Sequence, residues 1–328
     1  MMMLIILFQP DTYIYAGWAL LILLTYQAIR LLKRKKGKWK KIVTGILLTL
    51  LWYFFIWGAY VEPKQIEVVR IEYCNSQVPE SFDGYRIVLF SDIHLGSCIG
   101  WRKDIVQTVV DSINAQHADL VAFVGDIQNI RPQEIGPHLS TLSAIQSHDG
   151  IVSVMGNHDY QMYVDSDDPQ EEASNIALTK ALERQMGWQL LLNSNITITR
   201  GDSSRIVIAG MENDGEGRFP QLGDIEATLA DTNPDDFIIM LEHDPTSWKR
   251  KILPNGAAQL TLSGHTHGGQ VSLFGWKPAK LKYNEMAGFY NEGQHSLYVT
   301  RGTGALLPFR FGVKPEITVI ILRHTNNQ

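Results

Sequence analysis

Five short clusters of Asp, Asn and His punctuate the chain between residues 91 and 270. They are Ser91-Asp92-Ile93-His94, Val124-Gly125-Asp126, Met155-Gly156-Asn157-His158-Asp159, Glu242-His243-Asp244 and Ser263-Gly264-His265-Thr266-His267-Gly268-Gly269-Gln270. Singly each is weak, because Gly-Asp and Gly-Asn are ordinary turn signals. Together they supply three carboxylate or amide oxygens, from Asp92, Asp126 and Asn157, and four imidazoles, from His94, His243, His265 and His267. That is a hard-to-borderline oxygen and nitrogen donor set, suited to Mn, Fe or Zn and free of sulfur. Cys74 and Cys98 cannot build a thiolate cage and read as free thiols.

Each cluster follows a short apolar run, so the groups belong on loops at strand ends, where function gathers. The runs predict strands over Ile66–Ile71, Arg86–Phe90, Leu120–Val124, Ile151–Met155, Arg205–Ala209, Phe237–Leu241, Gln259–Leu262, Ser296–Val299 and Ile317–Leu322. Amphipathic stretches predict helices over Arg102–Ala115, Pro137–Gln146, Glu171–Gln185 and Ile225–Ala230. Helices concentrate early and strands late, which favours sheet on sheet with helices outside. Asp92 and His94 lie two apart, so an extended chain would project both to one face.

The order D-x-H, G-D, G-N-H-D, a lone H and G-H-x-H resembles the calcineurin-like metallophosphoesterase superfamily over residues 85 to 323. The tail with Arg301-Gly302-Thr303-Gly304 and Pro315-Glu316-Ile317 is similar to its membrane-associated or exported bacterial branch. The resemblance implies an α/β fold, a four-layer α/β/β/α sandwich, here preceded by an N-terminal two-helix transmembrane hairpin. It further implies two divalent or mixed-valence ions. Asp92, His94 and His267 would hold one; Asn157, His243 and His265 would hold the other; and Asp126 would bridge them. A shared anion offsets the repulsion of two cations ~3.5–4 Å apart. Where the family frequently has a second Asp, in G-D-x-x-D, this chain has Asn129, which puts any tuning by that position in doubt.

The implied reaction is hydrolysis of a phosphomonoester, phosphodiester or pyrophosphate by a water or hydroxide held between the ions. His158, held by Asp159, would protonate the leaving oxygen or stabilise its charge. Arg301 and Arg310 are candidates to grip a substrate phosphate, since arginine offers two parallel hydrogen bonds. Five further histidines, His117, His138, His148, His295 and His324, read as ordinary solvent-facing residues.

The N-terminal part has a different character. Tyr13 to Ile29 and Ile42 to Val61 carry no charge, and about 20 such residues cross a ~30 Å hydrocarbon layer. Between them lie Arg30, Lys33, Arg34, Lys35, Lys36, Lys38, Lys40 and Lys41, a loop that the positive-inside tendency keeps in the cytoplasm. Tyr13, Tyr15, Trp18, Trp57 and Tyr60 form an aromatic belt towards the other end. A cleaved signal peptide would put its basic stretch before a single apolar run. The expected organisation is a multi-pass cell-membrane hairpin over 1–61, with its basic loop at about 30–41, and a metallophosphoesterase domain over 62–328 outside the cytoplasm.

Residues 1–61 hold eight Lys/Arg against one acid, net +7; the remaining 21 basic and 33 acidic residues give net −12. So acidic a domain excludes nucleic acid as the expected partner. The partners implied are a phosphate ester, with lipid-linked phosphates among the classes that anchoring favours, and the bilayer itself. The oligomeric state is left open. A similar fold cleaves UDP-2,3-diacylglucosamine in lipid A synthesis; that substrate is cytoplasmic, which the outward topology disfavours. A noncatalytic metal-binding scaffold is the competing class, opposed by seven intact ligand positions and His158. Two helices without internal charge offer no transport pathway.

Overall fold

The computed structural model describes residues 10–34, 37–164, 168–201, 204–281, 283–305 and 307–326. Two helices come first, α1 (Pro10–Arg34) and α2 (Lys38–Ile56). Both are long and apolar enough to cross a membrane. Leu20, Ile22, Leu23, Ile46, Leu47 and Leu50 lie exposed on them, the all-round apolar surface that a lipid-facing helix carries. Trp18 Nε1 donates to Tyr60 Oη at 2.7 Å and Trp52 Nε1 to Thr25 Oγ1 at 3.0 Å, so the helices pair antiparallel. Lys35 and Lys36 of the expected basic loop lie outside the described residues.

There follow β1 (Glu67–Asn75), β2 (Arg86–Phe90), α3 (Asp104–Asn114), β3 (Leu120–Val124), α4 (Leu139–Leu142), β4 (Ile151–Val154), α5 (Pro169–Gln185), β5 (Gln189–Leu190), β6 (Ser194–Arg200) and β7 (Ser204–Gly210). The chain continues through α6 (Ile225–Thr228), β8 (Phe237–Leu241), α7 (Leu253–Asn255), β9 (Leu260–Ser263), β10 (Gly288–Glu292), β11 (His295–Val299) and β12 (Glu316–His324). One sheet has the order β1-β12-β2-β3-β4-β5 and the other β10-β11-β9-β8-β7-β6. Strands β2 to β5 run parallel, as do β7, β8, β9 and β11.

Strands β3 and β8 are apolar at every position, and β2 at every position after Arg86, because both of their faces are covered. Ile87 and Leu89 of β2 meet Ile206, Ile208, Phe237 and Ile239 between the sheets. Their neighbours Val88 and Phe90 turn outward onto Ile105, Val106 and Val109 of α3. On the second sheet, Val207, Ile238 and Met240 turn outward onto Trp248 and Ile252. Each such fully buried aliphatic or aromatic side chain contributes about 1.5–3 kcal/mol. The result is the four-layer α/β/β/α sandwich.

Strands β2, β3 and β8 have the expected bounds. The expected helix at Pro137–Gln146 shrinks to a tight turn and the single turn of α4. Ser140, Thr141 and Ser143 are weak helix formers and Gly136-Pro137 opens the segment. α5 begins two residues early, where Asp168 caps Gln170 N at 2.9 Å and Pro169 fills the first helical position.

The two-helix hairpin is packed onto the sandwich. Arg102, buried, pairs with Asp11 at 2.8 Å, and Tyr60 lies against Trp101 with ring centres 4.8 Å apart. Phe54 of α2 packs on Phe309 and Phe311 at 5.2 and 4.6 Å, and Arg310 N donates to Gly58 O at 2.9 Å.

Candidate metal centre

The polar clusters leave β2, β3 and β4 of one sheet and β8 and β9 of the other, and meet where these parallel strands end. Asp92, His94, Asp126, Asn157, His158, Asp159 and His243 are all buried. The backbone that delivers them is not extended. Asp92, His94, Asp126, His265 and His267 have φ of 51°, 49°, 60°, 69° and 52°, a left-handed region that costs non-glycine residues of order 1–3 kcal/mol each. The expected extended Asp92-Ile93-His94 is thus replaced by a curled one. Asp92 N bonds Gly125 O at 2.9 Å and His94 N bonds Asp126 O at 3.2 Å, wrapping the first loop around the second. Gly156 lets the β4 loop press equally close to the second, since a Cβ there would lie 2.3 Å from Asp126 Oδ1.

Two groups of donors result, both reaching Asp126. In the first, His94 Nε2 and His267 Nε2 face each other at 3.3 Å, and His267 Nε2 lies 3.7 Å from Asp92 Oδ1. In the second, Asn157 Oδ1 lies 3.2 Å from His243 Nε2 and 2.8 Å from His265 Nδ1. Asp126 Oδ2 lies 3.2 Å from His243 Nε2 and 3.7 Å from His94 Nε2. Its other oxygen accepts from His158 N at 2.9 Å. His243 Nδ1 donates to Val124 O at 2.7 Å, which fixes the tautomer and points Nε2 inward.

Three of the four imidazoles are held in the charge state that a cation needs. Burial holds His94 down to about 3 and His265 to about 4, and burial together with the neighbouring His94 holds His267 well below the usual histidine range. All three present neutral imidazoles with lone pairs. Burial alone would raise Asp126, but His243, His158 and His94 hold it well below the carboxylate range. Burial opposes charge on His243, yet Asp126 raises it well above the usual value. Burial pushes Asp92 up to about 6. Two imidazole nitrogens turned towards each other beside carboxylates fit a bound cation better than they fit one another.

His158 is held differently from the sequence expectation. Its Nδ1 donates to the carbonyl of Asn129 at 2.5 Å, and its ring stacks on Tyr163 at 4.1 Å. Nε2 lies 4.0 Å from Asp126 Oδ2. Asp159 instead accepts from the backbone N–H groups of Asp126, Ile127, Gln128 and Gly156, at 2.8, 3.1, 3.4 and 2.9 Å. It fastens the β3 and β4 loops together. Asn129 acts through its backbone, while its side-chain amide is buried without a hydrogen-bond partner among the described residues.

Both candidate phosphate arginines are committed elsewhere. Arg301 pairs with Glu316 and with Glu67, the latter at 2.7 Å. Arg310 is buried, and its Nη2 donates to the carbonyls of Arg301, Gly302 and Gly304 at 2.7, 3.2 and 2.7 Å. Arg310 thereby clamps the loop whose Gly304 N holds Asp92 O at 2.8 Å. Residues that sequence reasoning missed stand beside His265: Tyr283 Oη lies 3.3 Å from its Nε2, and Phe219 lies edge-on to it at 4.8 Å. Asp244, 3.5 Å from His265 Nε2, was signalled only by standing next to His243. The tyrosines and Phe219 carry no motif. Cys74 and Cys98 are free.

Residues 85–269 match the family described as calcineurin-like phosphoesterase. The chain is 33% identical over 301 residues to the "Uncharacterized metallophosphoesterase YkuE" of Bacillus subtilis, covering 89% of this chain and 96% of that one. It is 30% identical to a "Transmembrane protein with metallophosphoesterase domain" of Danio rerio, over 88% of this chain and 64% of the relative's length. It is also 24% identical to the "UDP-2,3-diacylglucosamine pyrophosphatase LpxG" of Chlamydia muridarum, over 81% of this chain and 92% of that one. The two apolar helices and the transmembrane relative agree on membrane association. The donor groups could hold the divalent ions that such an enzyme uses. The chain belongs to the calcineurin-like phosphoesterase family and is a hydrolase of phosphoric esters.

Proposed function

We propose that Asp92, His94 and His267 bind one divalent ion, that Asn157, His243 and His265 bind a second, and that Asp126 bridges them. The observation that carries this is Asp126 Oδ2, which faces His94 Nε2 at 3.7 Å and His243 Nε2 at 3.2 Å, one from each group. Mn, Fe and Zn all suit the set. Bound there, such ions supply an activated water and neutralise phosphate oxygens.

The chain's own residues do the rest. Asp159 fixes the β3 and β4 loops through four amides, so Asp126 and Asn157 keep their places when substrate enters. His158 gives Nδ1–H to Asn129, so any proton it delivers to a leaving oxygen departs from Nε2. The negative charge of a bound phosphate favours the doubly protonated ring that this requires. Arg218, exposed beside Phe219 and felt by Tyr163, is our candidate for binding the substrate's outer charge in place of Arg301 and Arg310.

The basic loop, on this reading, lies in the cytoplasm and the sandwich outside it. Hydrolysis of a pyrophosphate linkage in a nucleotide-bound acyl sugar is the second reading, favoured by the similarity to the Chlamydia pyrophosphatase. The test is activity of the full chain in detergent against aryl monoesters, aryl diesters and pyrophosphates, with Mn, Fe or Zn supplied separately. A C-terminal reporter fusion decides the side of the membrane. Turnover of an ester with an external reporter supports the first reading; pyrophosphate turnover with an internal reporter supports the second.

A further inference from the structure

The segment between the G-H-x-H loop and Tyr283 leaves the metal centre and returns to it, since Tyr283 Oη lies 3.3 Å from His265 Nε2. Its tip is a two-residue hairpin. Leu273 N bonds Trp276 O at 2.9 Å, Trp276 N bonds Leu273 O at 3.0 Å, and the two residues between, Phe274 and Gly275, have φ of 52° and 86°. Such turns favour Asn-Gly, because both central residues must be left-handed. Here the first is a bulky aromatic, in a region where bulky residues are outliers. Nothing among the described residues covers it, because Phe274 is fully exposed. Trp276 and Leu281 are 58% and 88% exposed, and Lys277 and Lys280 stand among them. An exposed apolar patch of this kind marks an interaction surface.

The covering surface follows from continuity with the membrane helices. Ser272 N bonds Phe311 O at 2.7 Å, and Gln270 Nε2 bonds the carbonyls of Leu307 and Phe309 at 2.9 and 3.0 Å. Phe309 and Phe311 pack on Phe54, and Phe311 also on Tyr53, near the C-terminal end of α2. The Leu273–Trp276 hairpin therefore begins one residue after Ser272, which makes a strand-like contact with the loop that packs on α2. It lies on the aromatic-belt side of the hairpin, opposite the basic loop. Aromatic rings with lysines beside them suit the headgroup region of a bilayer.

We propose that the Leu273–Trp276 hairpin inserts Phe274 and Trp276 into the lipid interface beside the membrane helices, so that the metal centre takes a phosphate ester carried by an amphiphile in that leaflet. The substrate half rests on the two-metal reading above; the insertion half does not. Anchoring then does more than tether the enzyme, because it sets the mouth of the site at the headgroup plane.

The test uses the full chain with Mn, reconstituted in vesicles of phosphatidylcholine with a minority of phosphatidylglycerol. Phe274→Cys in a Cys74→Ser background is labelled with an environment-sensitive fluorophore. We expect quenching by a lipid-borne spin label and shielding from aqueous iodide. Free access of iodide, or shielding without lipid quenching, which would mean a protein surface covers the loop, overturns the insertion. Phe274→Asn, which suits the turn better, separates folding from function. Its rate on whichever water-soluble aryl ester the wild type turns over, mono- or diester, should stay within about twofold, while its rate on the vesicle-borne lipid of the same ester class, phosphatidic acid or phosphatidylglycerol, falls about tenfold or more. Equal effects on both, or a wild-type chain that hydrolyses the aryl ester but not the vesicle-borne lipid of the same class, overturn the substrate half. A wild-type chain inactive on every ester with every metal fails the two-metal reading instead, while the fluorophore still decides insertion.

Discussion

His158 Nδ1 donates to the backbone carbonyl of Asn129 across 2.5 Å, so a main-chain atom of the β3 loop aims the imidazole of the β4 loop. The ring is further fixed by stacking on Tyr163, and its Nε2 faces the Asp126 carboxylate at 4.0 Å. His158→Ala is expected to lower kcat by about 10²–10⁴, the usual contribution of a placed proton donor, with bound metal unchanged. Asn129→Ala keeps the carbonyl and should retain activity within about threefold. Loss of metal from His158→Ala, or inactivity of a folded Asn129→Ala, would contradict these roles.

Asp159 is a positioning residue. Removing its carboxylate strands four buried amides, each costing about 1–3 kcal/mol when unsatisfied. Asp159→Ala should lower both the melting temperature and the metal content. Restoration of metal at high Mn concentration, with partial recovery of activity, would separate positioning from direct chemistry.

Arg218→Ala should raise KM for anionic substrates by about tenfold with kcat within about twofold, because a charge-assisted contact is worth about 1.5–3 kcal/mol. Metal content stays the same. An unchanged KM across mono- and diesters removes Arg218 from the substrate site.

Burial raises the Glu183 carboxyl to about 8, with Asp159 adding to the rise. The folded chain therefore holds a proton between about pH 4.5 and 8 that the unfolded chain releases, and stability from this group falls as pH rises through that window. The slope at full effect is about 1.4 kcal/mol per pH unit. Glu183→Gln should melt at a higher temperature than wild type at pH 8.5 and no higher at pH 5. Thermal melting in detergent at both pH values checks the sign.

Much of this arrangement was legible from residue types alone. Arg86–Phe90, Leu120–Val124 and Phe237–Leu241 read as strands because both faces are buried, leaving unbroken apolar runs ahead of the ligand loops. Ser194–Arg200 and Gly288–Glu292, the two edge strands of the second sheet, carry too many polar residues to give that signal. The left-handed turns at Asp92 and His94 were hidden because they arise from pairing with Gly125 and Asp126, thirty-odd residues away. Arg310 could not be distinguished from a phosphate ligand until the carbonyls of Arg301, Gly302 and Gly304 were seen to surround it. A guanidinium has the same donors for either partner.

The most direct measurement is metal stoichiometry of the full chain by elemental analysis, for wild type and Asp126→Ala, alongside ester hydrolysis. We predict two ions per wild-type chain, and at most one in Asp126→Ala with turnover reduced by about 10³ or more. A wild type active with no bound ion, or an Asp126→Ala chain that keeps both ions and its activity, would contradict a centre bridged by Asp126.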